Sequence, residues 1–133
     1  MALIAVLVSV GSSCSKSDDD ASIEGTWYLK SEKWFTDESR TKVSSETTYG
    51  DYANERVWTF KKSGNDLILT TKFSDGDTIE HTLVRNGNND YQKSDDRFVV
   101  KTLTSNSLVV DWYDNYYVDD KSEWEYGTYY FMK

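Results

Sequence analysis

From Ile23 to the C-terminus the chain is a succession of short runs rich in Val, Thr, Tyr, Trp and Phe. These runs are cut at close intervals by clusters of Gly, Asn, Asp and Ser. No other feature restricts the fold as much. β-Branched and aromatic side chains suit a pleated, half-buried surface, and the clusters supply the turn residues that end each run. Strands are expected at residues 25–35, 56–62, 66–73, 78–85, 97–103, 107–118 and 122–132, with an eighth around 90–93. Between them, Lys62-Ser63-Gly64-Asn65, Ser74-Asp75-Gly76-Asp77 and Asn86-Gly87-Asn88-Asn89 read as hairpin connections. Gly supplies positive φ there, and Asp or Asn bonds its own backbone. Thr104-Ser105-Asn106 and Asp119-Asp120-Lys121 are further turn candidates. Proline is absent, so no strand loses a hydrogen-bond donor to it. Consecutive hairpins describe an all-β, antiparallel up-and-down meander. Seven or eight strands hide their edges best by closing into a barrel. The polar segment 36–54 lacks clean alternation and reads as either a long loop or one ragged strand; long loops in compact domains are often functional.

The runs have two faces. Leu67 and Leu69 alternate with Ile68 and Thr70, and Leu108, Val110 and Trp112 alternate with Val109, Asp111 and Tyr113. Such a period of two puts one set inside and the other outside. Five Trp, ten Tyr and five Phe supply the core material, each burying about 150–250 Å². Several strands, the last two above all, carry aromatics on both faces, and there the inward set stays open.

The beginning of the chain has a different logic. Residues 2–10 form a short apolar run broken only by Ser9, Gly11-Ser12-Ser13 is a small-residue step, and Cys14 follows as the chain's single cysteine. A membrane span needs about 20 apolar residues. The core of a secretion signal needs only about 7–15, followed by small residues at the cleavage point. Residues 1–13 therefore read as a signal peptide and 14–22 as a tether, ahead of one domain at 23–133. The order of apolar run, small residues and cysteine resembles a bacterial lipoprotein signal. That resemblance implies cleavage before Cys14 and lipid on its thiol and freed amine. No Lys or Arg precedes the apolar run, which points to a start upstream of Met1. The tract Ser17, Asp18, Asp19, Asp20 resembles the export tag of surface lipoproteins in Gram-negative anaerobes. It implies an outer-membrane protein facing the cell surface; a plain solvated spacer is the alternative.

Composition removes several functions. The net charge of −8 opposes binding to nucleic acid, whose phosphates need a basic patch. It equally opposes a polybasic membrane footprint, so the membrane contact falls to lipid on Cys14. With that thiol committed, none remains for a disulfide, a metal site or a nucleophile.

The domain resembles the small lipocalin-like domains of bacterial lipoproteins. The residues that carry the likeness are Gly25-Thr26-Trp27 at the start and Trp58-Thr59-Phe60 in the middle. Ser107-Leu108-Val109-Val110 and Gly127-Thr128-Tyr129-Tyr130-Phe131 continue it at the end. The resemblance covers most of residues 23–133. It implies an up-and-down barrel with Trp27 plugging the closed end, and no established activity.

Catalytic machinery is not legible. His81 is the single histidine, placed mid-strand between Ile79 and Leu83, where a packed or hydrogen-bonded role is expected. There is no nucleophile elbow and no glycine-rich phosphate loop. Asp111 with Asp114, or Glu123 with Glu125, could be named as carboxylate pairs, but a glycosidase needs a set separation across a sugar. Asp75-Gly76-Asp77 and residues 86–90 lack full calcium-loop spacing. No enzyme, cofactor or metal is expected. The best binding candidates are Trp112, Tyr116, Trp124 and Tyr126, whose flat rings among Asp and Glu suit a glycan or a small amphipathic ligand. Cross-strand aromatic pairs that merely stabilise a hairpin are the alternative. The expected role is a surface lipoprotein that binds such a ligand. The other reading is a non-catalytic subunit of an outer-membrane complex with a fully packed barrel.

Overall fold

The computed structural model describes residues 21–50 and 56–133. Cys14 and the acidic tract at 17–20 lie outside the described residues. Nine strands follow one another: β1 (Gly25–Phe35), β2 (Val43–Thr48), β3 (Arg56–Ser63), β4 (Asp66–Phe73), β5 (Thr78–Gly87), β6 (Asp90–Lys93), β7 (Asp96–Leu103), β8 (Ser107–Val118) and β9 (Lys121–Met132). Each of β3 to β8 pairs antiparallel with the next, and β1 pairs with both β3 and β9. The meander thus closes into an eight-stranded up-and-down barrel, with β2 as an additional strand.

β2 supplies a strand within the segment 36–54, of which 51–54 lie outside the described residues. It pairs with Ser31 to Phe35, the upper part of β1, while β3 pairs with Gly25 to Tyr28, the lower part. All six of its residues are exposed.

Turn chemistry sets the registers. Ser63 pairs with Asp66 across Gly64-Asn65, and Val118 pairs with Lys121 across Asp119-Asp120. Gly64, Asp119 and Asp120 all have φ between 50° and 63°, the left-handed geometry that matches the twist of a tight hairpin.

Inside, the lower part of the barrel holds the apolar core. Trp27, Leu29, Phe60, Leu67, Leu69, Leu83, Phe98, Leu108, Val110 and Phe131 are all buried. Trp27 lies fully buried at the closed end, where its Nε1 donates to the Ile23 carbonyl at 2.8 Å. The Lys133 ammonium covers its ring at 4.7 Å. Trp58 forms the top of this packing. Its ring meets Phe131 at 4.6 Å, Tyr129 at 5.5 Å, Trp112 at 5.8 Å and Phe60 at 5.9 Å. Edge and tilted contacts of this kind add about 0.5–1.5 kcal/mol beyond area burial.

Candidate functional site at the barrel mouth

Above Trp58 the barrel is not filled. Side chains from all eight of its strands line a cavity of about 300 Å³ that opens at the end opposite Trp27. Trp34, Trp58, Trp112 and Tyr129 give it an aromatic floor and wall, with Leu69 and Phe73 alongside. Arg56, His81, Lys93, Asp96 and Asp114 add ionisable groups. Strand alternation explains the set. Cross-strand pairs Trp58–Thr71, Leu69–His81, Lys93–Asp96 and Phe98–Trp112 share the inner face, so each strand delivers every second residue to the interior. Gly127 makes room for the ring of Trp34: a Cβ at that position would lie 3.1 Å from it. The Trp58 Nε1 is buried and has no hydrogen-bond partner among the described residues. It is a donor without an acceptor in the ring that floors the cavity.

Two charged groups face each other across the mouth. On one side Arg56 lies 3.4 Å from Glu32 and packs its guanidinium near the Tyr129 ring. Burial, more than any neighbour, pushes the Tyr129 phenol well above its usual range. On the other side Lys93 pairs with Asp96 at 3.5 Å, and its ammonium lies 5.5 Å from the Trp112 ring centroid. The Asn115 backbone N–H donates to Asp96 at 3.1 Å. Asp96 is also in hydrogen-bond contact with Asp114. Burial first, then the charge and hydrogen bond of Asp96 and the charge of Glu125, push Asp114 above its ordinary carboxylate value. His81 is pushed down by burial and by Lys93, so it is neutral at pH 7.

The raised Asp114 fixes the sign of one prediction. Its protonated form is favoured by the fold, so its contribution to stability falls as pH rises from 3.8, the unperturbed value, through the raised one. Asp114→Asn keeps the shape and removes the charge. The variant is expected to melt at a higher temperature than the parent at pH 7, with the two curves converging at pH 3. Thermal unfolding across that range checks it; an Asn variant that is less stable at pH 7 would refute the strain.

The four aromatic candidates do not form one site. Trp112 and Tyr116 point to the inner face, Trp112 at the cavity wall and Tyr116 at the rim. Trp124 pairs with Asn115 and Tyr126 with Tyr113, which places both on the outer face. There they line a separate groove of about 370 Å³ with Tyr113, Glu38 and Arg97. The carboxylate pairs also separate. Asp111 faces outward and Asp114 inward, while Glu123 and Glu125 are exposed on the inner-face register above the rim. The hydrogen-bonded pair Asp96 and Asp114 is too close for a glycosidase, whose two carboxyl groups stand about 5–9.5 Å apart. His81 lines the mouth rather than the packed core. The residues that sequence reasoning missed are Arg56, Lys93 and Asp96. Strand parity with Trp58 and Phe98 could have found them.

In comparisons with known proteins, no family model and no curated protein matches this chain.

Proposed function

We propose that this is a surface lipoprotein, anchored through lipid on Cys14, whose lipocalin-like barrel holds a small amphipathic ligand at its mouth. The observation that carries the reading is the half-filled barrel. Aromatic packing ends at Trp58, and above it lies a cavity of about 300 Å³ with an apolar floor and an ionisable wall. Small-ligand sites are typically concave and apolar with a few convergent polar groups, at about 300–1,000 Å³. The orphaned Trp58 N–H is a ready donor for a ligand atom or a water. Ala21 and Ser22 lie beside Ile23 at the closed end, so a tether running from Cys14 would enter opposite the mouth and leave it facing outward. The other reading, a non-catalytic subunit of an outer-membrane complex, draws on the core of the lower half, where Trp27, Trp58, Phe60 and Leu69 are all buried. A glycan would find flat rings in the outer groove, where Trp124 is 43% exposed.

Calorimetric titration with a panel of short amphiphiles and oligosaccharides tests the reading. Trp112→Phe is expected to weaken binding several-fold, and Trp124→Phe to leave it unchanged. The reverse pattern would move the site to the outer groove. A panel without any response would favour the packed subunit.

A further inference from the structure

The charges around the mouth are unequal in how they are satisfied. Arg56 is paired with Glu32 at 3.4 Å and Lys93 with Asp96 at 3.5 Å. Asp114 is in contact with Asp96 and feels the charge of Glu125, its cross-strand partner. Among the described residues, no Lys or Arg forms an ion pair with it. The groups that face it are therefore Glu32 from β1, Arg56 from β3, His81 from β5, Lys93 from β6, Asp96 from β7, Glu125 and Tyr129 from β9, and Tyr116 from its own strand. His81 is neutral, and both cations already have carboxylates. The surplus is negative and sits directly beside the aromatic wall.

That wall accepts cations. The Lys93 ammonium lies 5.5 Å from the Trp112 centroid, and the Arg56 guanidinium lies 5.8 Å from that of Tyr129. Rings attract a cation through their quadrupole, more strongly where water is excluded. An anionic head would instead meet Asp96, Asp114, Glu125 and Glu32, and would have to break an existing ion pair to find a partner.

Taking the mouth as the ligand site, we propose that its ligand is an organic cation. An ammonium or quaternary ammonium head sits against the Asp96–Asp114 carboxyl pair beside the Trp112 ring, and an apolar body lies on Trp58, Trp34 and Tyr129. Binding is linked to a proton. The cation favours the ionised form of Asp114, so at a pH where the carboxyl pair holds a proton, that proton leaves as the head group arrives. Affinity therefore rises with pH from the ordinary carboxylate range through the raised value of Asp114, and then levels.

The test uses three probes that share an eight-carbon tail, each below its micelle concentration: octyltrimethylammonium, octyl glucoside and octanoate. Quaternary ammonium carries no exchangeable proton, so any proton released comes from the protein. Octyltrimethylammonium is expected to bind at least tenfold tighter than the other two, with a heat that, in the acid range where Asp114 holds its proton, varies with the ionisation enthalpy of the buffer. Asp114→Asn should lower that affinity about tenfold and abolish the buffer dependence, while octyl glucoside binds the variant and the parent equally. A thermal melt confirms that the variant is folded, and Glu125→Gln should give a smaller loss of the same kind. Equal or tighter binding of octanoate or octyl glucoside would overturn the cation assignment and leave the mouth site standing. An absence of binding by all three probes would overturn both.

Discussion

Arg40→Ala is expected to cost the fold about 3 kcal/mol, on the scale of breaking one partner out of a buried ion pair. For a domain of this size that lowers the melting midpoint by about 10 °C or more. Arg40 sits in the connection between β1 and β2, with φ of 57°. Asp37 builds that connection. Its carboxylate accepts from the Ser39 and Thr41 hydroxyls at 2.6 Å and from the Lys42 backbone N–H at 2.7 Å, and these bonds hold it well below the usual carboxylate range. The loop thus aims Arg40 across the outer face of β8 and β9. Its Nη2 donates to the Trp112 carbonyl at 3.3 Å, and its guanidinium lies 4.5 Å from the Tyr113 ring centroid. Its Nε is 3.4 Å from Asp111 Oδ1 but is not aligned as a hydrogen bond, so that contact is coulombic. The side chains of Arg40 and Asp111 are only 14% and 11% exposed. Without the guanidinium, Asp111 keeps one side-chain partner among the described residues, the Thr128 hydroxyl at 2.8 Å, and it stays buried. Urea unfolding of Arg40→Ala, Asp111→Asn and the double variant measures the coupling. The double variant should lose less than the sum of the two single ones. A loss below about 1 kcal/mol for Arg40→Ala would mean that the loop merely rests on the barrel.

The same clamp shows what a one-dimensional reading could and could not reach. Strands such as Asp66–Phe73 and Ser107–Val118 were legible because burial on one face forces alternation, and Gly64-Asn65 marked its turn by composition. β2 resisted because all six of its residues are exposed, so neither face selects apolar side chains. Arg40 resisted because its partners lie about seventy positions away, in a loop that carries no motif. The aromatic hairpin failed for a reason of register. A three-residue turn at Asp119-Asp120-Lys121 would pair Tyr116 with Trp124 and put Trp112, Tyr116 and Trp124 on one face. The hairpin instead turns on two residues, both with left-handed φ, and pairs Tyr116 with Glu123. One residue of slip sends Trp124 and Tyr126 outside. The mouth cluster was hidden by the same parity: Arg56, Lys93 and Asp96 look like solvated charges until the strands on which they lie are placed in order.

On the proposed lipoprotein reading, Cys14→Ala is expected to turn a membrane-bound protein into a fully soluble one, the largest effect foreseen for any single substitution. The argument is one of chain counting. Each buried methylene contributes about 0.8 kcal/mol, and a single acyl chain holds a protein only marginally, whereas two or more make anchoring effectively permanent. A lipoprotein cysteine carries acyl chains on both its thiol and its amine, and the protein's charge of −8 offers no second, electrostatic hold on an anionic surface. On the proposed reading, all retention depends on Cys14. The barrel itself should not notice, because among the described residues the buried core begins at Ile23; melting temperature and probe binding should match those of the parent. Fractionation with mass spectrometry of the mature N-terminus decides the matter, and an unmodified Cys14 in membrane-bound protein would sink the claim. The acidic tract separates address from anchor in the same assay. Replacing Asp18, Asp19 and Asp20 together by Ala should preserve the lipid and the membrane fraction, yet protect the barrel from protease added to intact cells. Equal digestion of both forms would reduce the tract to a spacer, extended by its own repulsion.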